Sequence, residues 1–204
     1  MPARTAPFIP RGHRATVRRY DTGDDIAAHV RLIGHSAYLG WNDPEIQRIA
    51  DDVRHARSYG TYRGAPFIPL PVGRKTYYLH PPDPRARGDL NRVWSFMERN
   101  VAYVPDDETW DTFREPRATL AMGGGDCDDH VGVIDALLRC MRYREVGARV
   151  IGVESPTPSH IYALVMVRGE IVAMDTAVPD YKHVAKPGWE YPDPKSSQDF
   201  WFRG

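Results

Sequence analysis

The feature that most constrains this chain is Gly123-Gly124-Gly125-Asp126-Cys127-Asp128-Asp129-His130, which runs directly into the apolar stretch Val131 to Met141. A glycine loop here delivers one of only two cysteines to the start of a helix. Cys127, Val131, Ile134, Leu138 and Met141 recur at steps of four, three, four and three, which is one face of a helix. The thiol therefore tops the stripe that has to be buried, and whatever packs on that stripe lies beside the sulfur. A helix N-terminus carries roughly half a positive charge in its free N–H groups, which favours thiolate over thiol. The pattern predicts a cysteine nucleophile that titrates below the ordinary thiol value of about 8.5.

Such a nucleophile needs a base within hydrogen-bond reach, and the base needs an orienting group. His160, Tyr162, Leu164 and Met166 alternate with Ile161, Ala163, Val165 and Val167, so His160 shares a strand face with Leu164 and Met166. The turn near Arg168-Gly169-Glu170 predicts an antiparallel hairpin with the next strand. A loop of two or four residues puts Asp175 on the face of His160, opposite Tyr162 or Leu164; a three-residue loop points it the other way. The candidate catalytic residues are thus Cys127, His160 and Asp175, on condition of that parity. His130, at i+3 from Cys127, is the rival base, but groups so close in sequence leave little room for substrate. Cys140 lies among leucines and reads as core. His29, His35 and His55 show no ligand spacing.

The acids Asp126, Asp128 and Asp129 are accounted for by the helix macrodipole, which favours carboxylates in a first turn. Calcium is an open alternative through their oxygens, although nothing here follows an EF-hand loop. Cys127 and His130 supply two ligands for a transition metal, which does not make a site. No Gly-Lys-Ser/Thr follows the triple glycine, so it is not a phosphate loop. Its expected job is to let backbone come close to the cysteine and the substrate. For an oxyanion the Cys127 backbone N–H is one natural donor, and Tyr103 is a weak candidate for the second.

At 204 residues the chain accommodates one ordinary domain with extensions. Lysine plus arginine and aspartate plus glutamate number 27 each, so no net field draws in nucleic acid or an anionic membrane. There is no apolar run of about 18 residues, and the start Met1-Pro2-Ala3-Arg4 leads into charges rather than a signal-peptide core. Cys127 and Cys140, thirteen residues apart on one helix, lie roughly 20 Å apart along its axis, against a disulfide limit of about 7 Å. Both are expected as reduced thiols, which fits synthesis in the cytoplasm.

Residues 1–20 read as a basic arm, and 21–180 as a single domain. That domain comprises a helical lead-in over 21–60, a Pro-rich excursion over 60–89 and a core over 90–180. Residues 181–204 read as a strapped-down Pro/aromatic tail. In the lead-in, one helix is predicted from Thr22 or Asp24 to Gly34 and another from Asn42-Asp43-Pro44-Glu45; a third starts at Asp89 or Asn91. Tyr77-Tyr78-Leu79 is a candidate short strand. Ala148 to Val153, His160 to Val167 and Ile171 to Asp175 read as strands.

Gly-Gly-Gly-Asp-Cys-Asp-Asp-His, the helix with Leu137-Leu138, Ser159-His160-Ile161-Tyr162 and Ala173-Met174-Asp175 together resemble the transglutaminase-like cysteine peptidase superfamily. Trp94-Ser95-Phe96, Asn100 to Asp106 and Phe113-Arg114-Glu115-Pro116 resemble its upstream signature. The similarity covers roughly residues 90–180 and is greatest to short versions encoded among tailed-phage and prophage virion genes. It implies an α+β, papain-like fold in which the cysteine helix packs on a small antiparallel sheet. The implied activity is acyl transfer through an acyl-thioester on a protein or peptide amide: Cys127 attacks, His160 shuttles the proton and Asp175 orients His160. No cofactor is required; in similar periplasmic proteases acids flanking the cysteine hold calcium, and the equivalents here are Asp126 and Asp128. The alternative is a virion structural or interaction protein on the same scaffold, with weak or no catalysis, partnered by phage capsid or tail proteins. The implied location is the cytoplasm at synthesis, then incorporation into a virion.

Overall fold

The computed structural model describes residues 15–19, 26–55, 70–72, 75–77, 84–106, 110–177, 187–188, 191 and 193–202. It is mixed α+β. In chain order the elements are β1 (Ala15–Arg19), α1 (Ile26–Trp41), α2 (Pro44–His55), β2 (Leu70–Val72), β3 (Lys75–Tyr77), α3 (Pro84–Asn100), β4 (Ala102–Tyr103) and β5 (Trp110–Arg114). Then follow α4 (Pro116–Met122), β6 (Gly124–Gly125), α5 (Cys127–Cys140), β7 (Val146–Gly152), β8 (His160–Val167), β9 (Glu170–Met174) and β10 (Ser196–Phe202). Among the described residues no helix is long and apolar enough to cross a membrane.

α5 is the centre. Val131, Ile134, Leu138 and Met141 are buried as the stripe predicts, but so are Gly132, Val133, Ala136 and Leu137 on its other sides. The helix is enclosed because α1, α2, α3 and α4 pack around it while β7 and β8 close the remaining face. Burying a Leu or Ile side chain contributes about 1.5–3 kcal/mol, so this one helix supplies a large share of the apolar stabilisation. The sheet against it has the order β10-β7-β8-β9, antiparallel throughout. Ile161, Ala163, Val165 and Val167 of β8 face the helical layer, whereas Tyr162 and Leu164 face away and pack with Ile151, Ala173 and Tyr191.

Several boundaries differ from expectation for steric reasons. α1 does not stop at Gly34; it continues to Trp41, and a Cβ at Gly34 would lie 2.6 Å from the ring of Phe202, so the glycine admits β10. α2 begins where Asn42-Asp43-Pro44 predicts, with Asp43 Oδ1 accepting from the Glu45 N–H at 2.8 Å. α3 begins five residues before Asp89, with Pro84 as its first residue. The end of the basic arm is a strand, since β1 pairs with β5. The close of the C-terminal tail is also a strand: β10 pairs with β7 along its length and completes the main sheet. The short strand near Tyr77 lies two residues earlier, as β3 pairing with β2; most of the rest of the excursion, residues 1–14 and most of the tail before β10 lie outside the described residues.

A buried ion pair ties β10 to the central helix. Arg139 Nε donates to Asp135 Oδ1 at 3.1 Å, and Arg139 Nη2 donates to the Phe202 carbonyl at 3.1 Å. Burial pushes the Asp135 carboxyl up from 3.8 to about 7, against the pull of Arg139. A carboxyl that keeps its proton longer in the folded than in the unfolded chain gives a stability component that is full below about 4 and is lost as pH rises through about 7. Asp135→Asn is neutral at every pH. Urea unfolding across this range is therefore expected to show the variant gaining on the parent as pH rises, with a ceiling of roughly 4 kcal/mol.

Candidate active site

The β8–β9 hairpin decides where Asp175 points. Val167 pairs with Glu170 across a two-residue turn, Arg168-Gly169, both residues in the left-handed region at φ 52° and 82°. Ala163 pairs with Met174, so Asp175 comes opposite Tyr162, on the face of His160. The parity condition is met, and the two side chains join: His160 Nε2 lies 2.7 Å from Asp175 Oδ2. The aspartate is itself held, Oδ1 by the Ala177 N–H at 3.0 Å and its carbonyl by Trp94 Nε1–H at 3.1 Å. An aspartate that accepts from Nε2–H leaves Nδ1 as the basic nitrogen of the neutral ring. Tyr162 and Tyr191 flank the imidazole, with centroids 5.9 and 5.4 Å away.

Cys127 is the first residue of α5, with Asp126 as N-cap. The residue is half-buried, its sulfur is enclosed, and its thiol is hydrogen-bonded to the Ile161 backbone N–H, one residue beyond His160. The structure thus joins His160 to Asp175 and brings the Cys127 thiol to the backbone of the residue after His160. The expected easy thiolate is not present. Burial pushes the thiol well above its ordinary value, and Asp126 and Asp128 push it further, with only the Ile161 N–H opposing and Asp175 adding to the rise. The helix field, worth about 0.3–1 kcal/mol, is smaller than the several kcal/mol that desolvating a charge costs.

The glycine stretch is a strand here rather than an open loop. β6 pairs in parallel with β4, setting Tyr103 beside Gly125, and the Val104 N–H donates to the Gly125 carbonyl at 2.8 Å. A Cβ on Gly125 would sit 2.5 Å from Asp129 Oδ2, so this glycine makes room for a carboxylate as well as for backbone. Tyr103 reaches the site: burial, then the negative charge of Cys127, Asp126, Asp106 and Asp175, pushes its phenol up to about 12. It stays a protonated donor at any physiological pH.

Asp126, Asp128 and Asp129 are all buried, with ligand atoms within 4.8 Å of one another. Asp129 is taken up by Arg114, whose N–H donates to Oδ1 at 2.6 Å and whose Nη1 donates to Oδ2 at 2.5 Å. Asp106 stands on the other side of the same guanidinium, 3.6 Å away. Asp128 Oδ2 lies 2.8 Å from His29 Nε2, a histidine that sequence spacing left as ordinary. Calcium takes six to eight oxygens, yet Asp129 Oδ1 already accepts from the Arg114 backbone N–H and Oδ2 from its guanidinium. Arg114 and His29 thus take up part of the oxygen set that a calcium ion would need. His130 is not arranged as the base. Its Nδ1 bonds Thr176 Oγ1 at 2.8 Å, and burial pushes the ring down to about 4 against the pull of the Ala102 backbone, so it stays neutral. It fastens the residue after Asp175 to the cysteine helix.

Arg114, His29, Trp94 and Thr176 are site residues that spacing did not reveal, because each partner lies far away in sequence. Comparison with protein-family models, curated proteins and solved structures finds no match. Removing one member of a buried ion pair costs about 3–5 kcal/mol. Arg114→Leu is expected to lose stability on that scale in urea unfolding, while EGTA leaves the parent's melting temperature unchanged. A calcium-dependent melting temperature in the parent would contradict this uptake of the oxygens from within.

Proposed function

We propose that this protein is a thiol-dependent acyl-transfer enzyme, an amide hydrolase or transferase of the transglutaminase-like cysteine peptidase kind, acting on a protein or peptide amide. The observation that carries this reading is the His160–Asp175 bond at 2.7 Å, beside a thiol held on the next residue of the same strand. The reading implies a papain-like arrangement of the α+β core, with the cysteine helix laid against the antiparallel sheet.

Because the resting thiol is neutral, the reaction on this reading begins with general-base removal of its proton rather than from a standing thiolate. Asp175 holds His160 so that Nδ1 takes the Cys127 proton as sulfur bonds to the carbonyl carbon. The developing oxyanion is met by the Cys127 backbone N–H, one of the free donors of a helix start, and by the Tyr103 phenol. His160 then gives its proton to the departing amine as the C–N bond breaks, which leaves an acyl-thioester. Water or a second amine attacks that thioester, His160 takes the attacker's proton, and the thiol is released.

A second reading has one observation in its favour: a thiol ringed by carboxylates and held protonated suits a scaffold. On that reading the chain is a virion structural or interaction protein with weak or no chemistry.

One experiment separates the two. With an activated ester such as p-nitrophenyl acetate, the enzyme reading expects a burst of nitrophenol and one acetyl group on Cys127 by peptide mass mapping. Cys127→Ala is expected to abolish the burst and His160→Ala to slow acylation by about 10²–10⁴-fold. Tyr103→Phe is expected to slow it by about 10²-fold, the effect of losing one oxyanion donor. Acylation of Cys127 at the same rate in parent and His160→Ala would leave the scaffold reading standing.

A further inference from the structure

At the far end of α5 from Cys127, thirteen residues and roughly 20 Å along the axis, a second concave site opens that plays no part in the chemistry above. Its volume is about 750 Å³, within the range of small-molecule sites, and its lining includes Tyr38, Trp41, Cys140, Arg142, Tyr143 and Arg144. Trp41 and Cys140 also line a neighbouring recess of about 220 Å³, so the indole stands between two chambers. Tyr38 and Trp41 meet edge to face with centroids 5.6 Å apart and stay 40% and 36% exposed, although both are large aromatics.

The cations are the second observation. Arg142 and Arg144 make no ion pair with any described residue, whereas Arg139 is satisfied by Asp135 and the Phe202 carbonyl. Arg142 also occupies a position where its side chain is a burden. The Tyr143 N–H bonds the Leu138 carbonyl at 3.0 Å and the Arg142 N–H bonds the Arg139 carbonyl at 2.9 Å, which is a Schellman close to the helix. In that motif the left-handed residue is ordinarily glycine; here it is Arg142, at φ 70°. An arginine kept where glycine fits better, with no carboxylate on it among the described residues, points to a use for its guanidinium.

We propose that this pocket binds an aromatic phosphomonoester of mononucleotide size, its ring against Trp41 and Tyr38 and its phosphate on Arg142 and Arg144. Guanidinium forks match phosphate geometry, and aromatic faces take a planar base. An extended acidic peptide fits less well. β7 is paired on both sides, by β10 and β8, so no strand edge is free beside the pocket, and the last helical carbonyls are closed by the Schellman bonds. Because the chain carries no net charge, a long polyanion has no field to follow, but two local guanidiniums suffice for one phosphate.

The test is calorimetric titration of the full chain with adenosine 5′-monophosphate, with adenosine and inorganic phosphate as half-ligands. One saturable site for the monophosphate is expected, at least about tenfold tighter than for either half. Arg142→Gly is expected to weaken it by about tenfold or more while leaving the melting temperature equal or higher, because the strain is gone. Trp41→Ala is expected to weaken both adenosine and the monophosphate. The proposal is overturned if the monophosphate does not bind, if Arg142→Gly binds as the parent does, or if an acidic aromatic peptide binds where the monophosphate does not.

Discussion

A central helix buried on every side cannot leave a charge uncompensated, and that constraint shapes the rest of the structure. α5 carries Asp128, Asp129 and Asp135 into the interior. Each is met by a cation or a protonatable ring: His29 from α1, Arg114 from β5 and Arg139 from the helix itself. His130, too deep to carry a proton, is met by the Thr176 hydroxyl from the segment after β9. These partners come from elements that would otherwise only pack, so the polar bonds dictate which face of each lies against α5. Apolar packing tolerates sliding; a buried carboxylate with its own guanidinium does not.

The same constraint sets the state of Cys127. Two effects compete at Cys127, the partial positive charge of the helix start and the cost of a charge in an enclosed site. The second is larger, and the neighbouring carboxylates add to it, so the sulfur keeps its proton. On the proposed mechanism the burden then falls on His160. Its basic nitrogen is freed by a bond from Nε2 to a buried aspartate, and Trp94, Ala177 and the His130–Thr176 bond hold that aspartate in place. Orientation, rather than a lowered thiol pKa, is what the surroundings of this cysteine supply.

How much of this the sequence announced depends on the range of each interaction. The helix after Cys127 and the alternation of β8 are local patterns and were legible. So was the dependence of Asp175 on turn length, since a period of two makes the face of residue 175 a matter of counting. The start of α2 was visible in Asn42-Asp43-Pro44. Three things were not. The Asp128–His29 bond spans 99 residues and His130–Thr176 spans 46, and no spacing rule reaches so far. Ser196-Ser197-Gln198-Asp199 carries no apolar alternation, yet it is a sheet strand because Arg149 holds Asp199 at 2.5 Å and β7 offers it a free edge. The raised thiol followed from enclosure by elements far along the chain, while the local signal, a helix start, pointed the other way.

The acids around Cys127 show why stability and chemistry are in tension at this helix end. Carboxylates in a first turn stabilise the helix through its macrodipole, by about 0.3–1 kcal/mol each. Here Asp128 and Asp129 do so, and through His29 and Arg114 they also anchor α1 and β5. The cost falls on the thiolate, which has to form among them. Bonding them in place, by an arginine and a histidine rather than by substitution, keeps the anchoring, and the arginine softens the field at the sulfur. The compensation is incomplete, since Asp126 and Asp128 still raise the thiol. A helix whose N-terminal acids hold the fold together therefore fits the proposed mechanism, in which the thiol ionises only while His160 takes its proton, and not a thiol that waits as an anion.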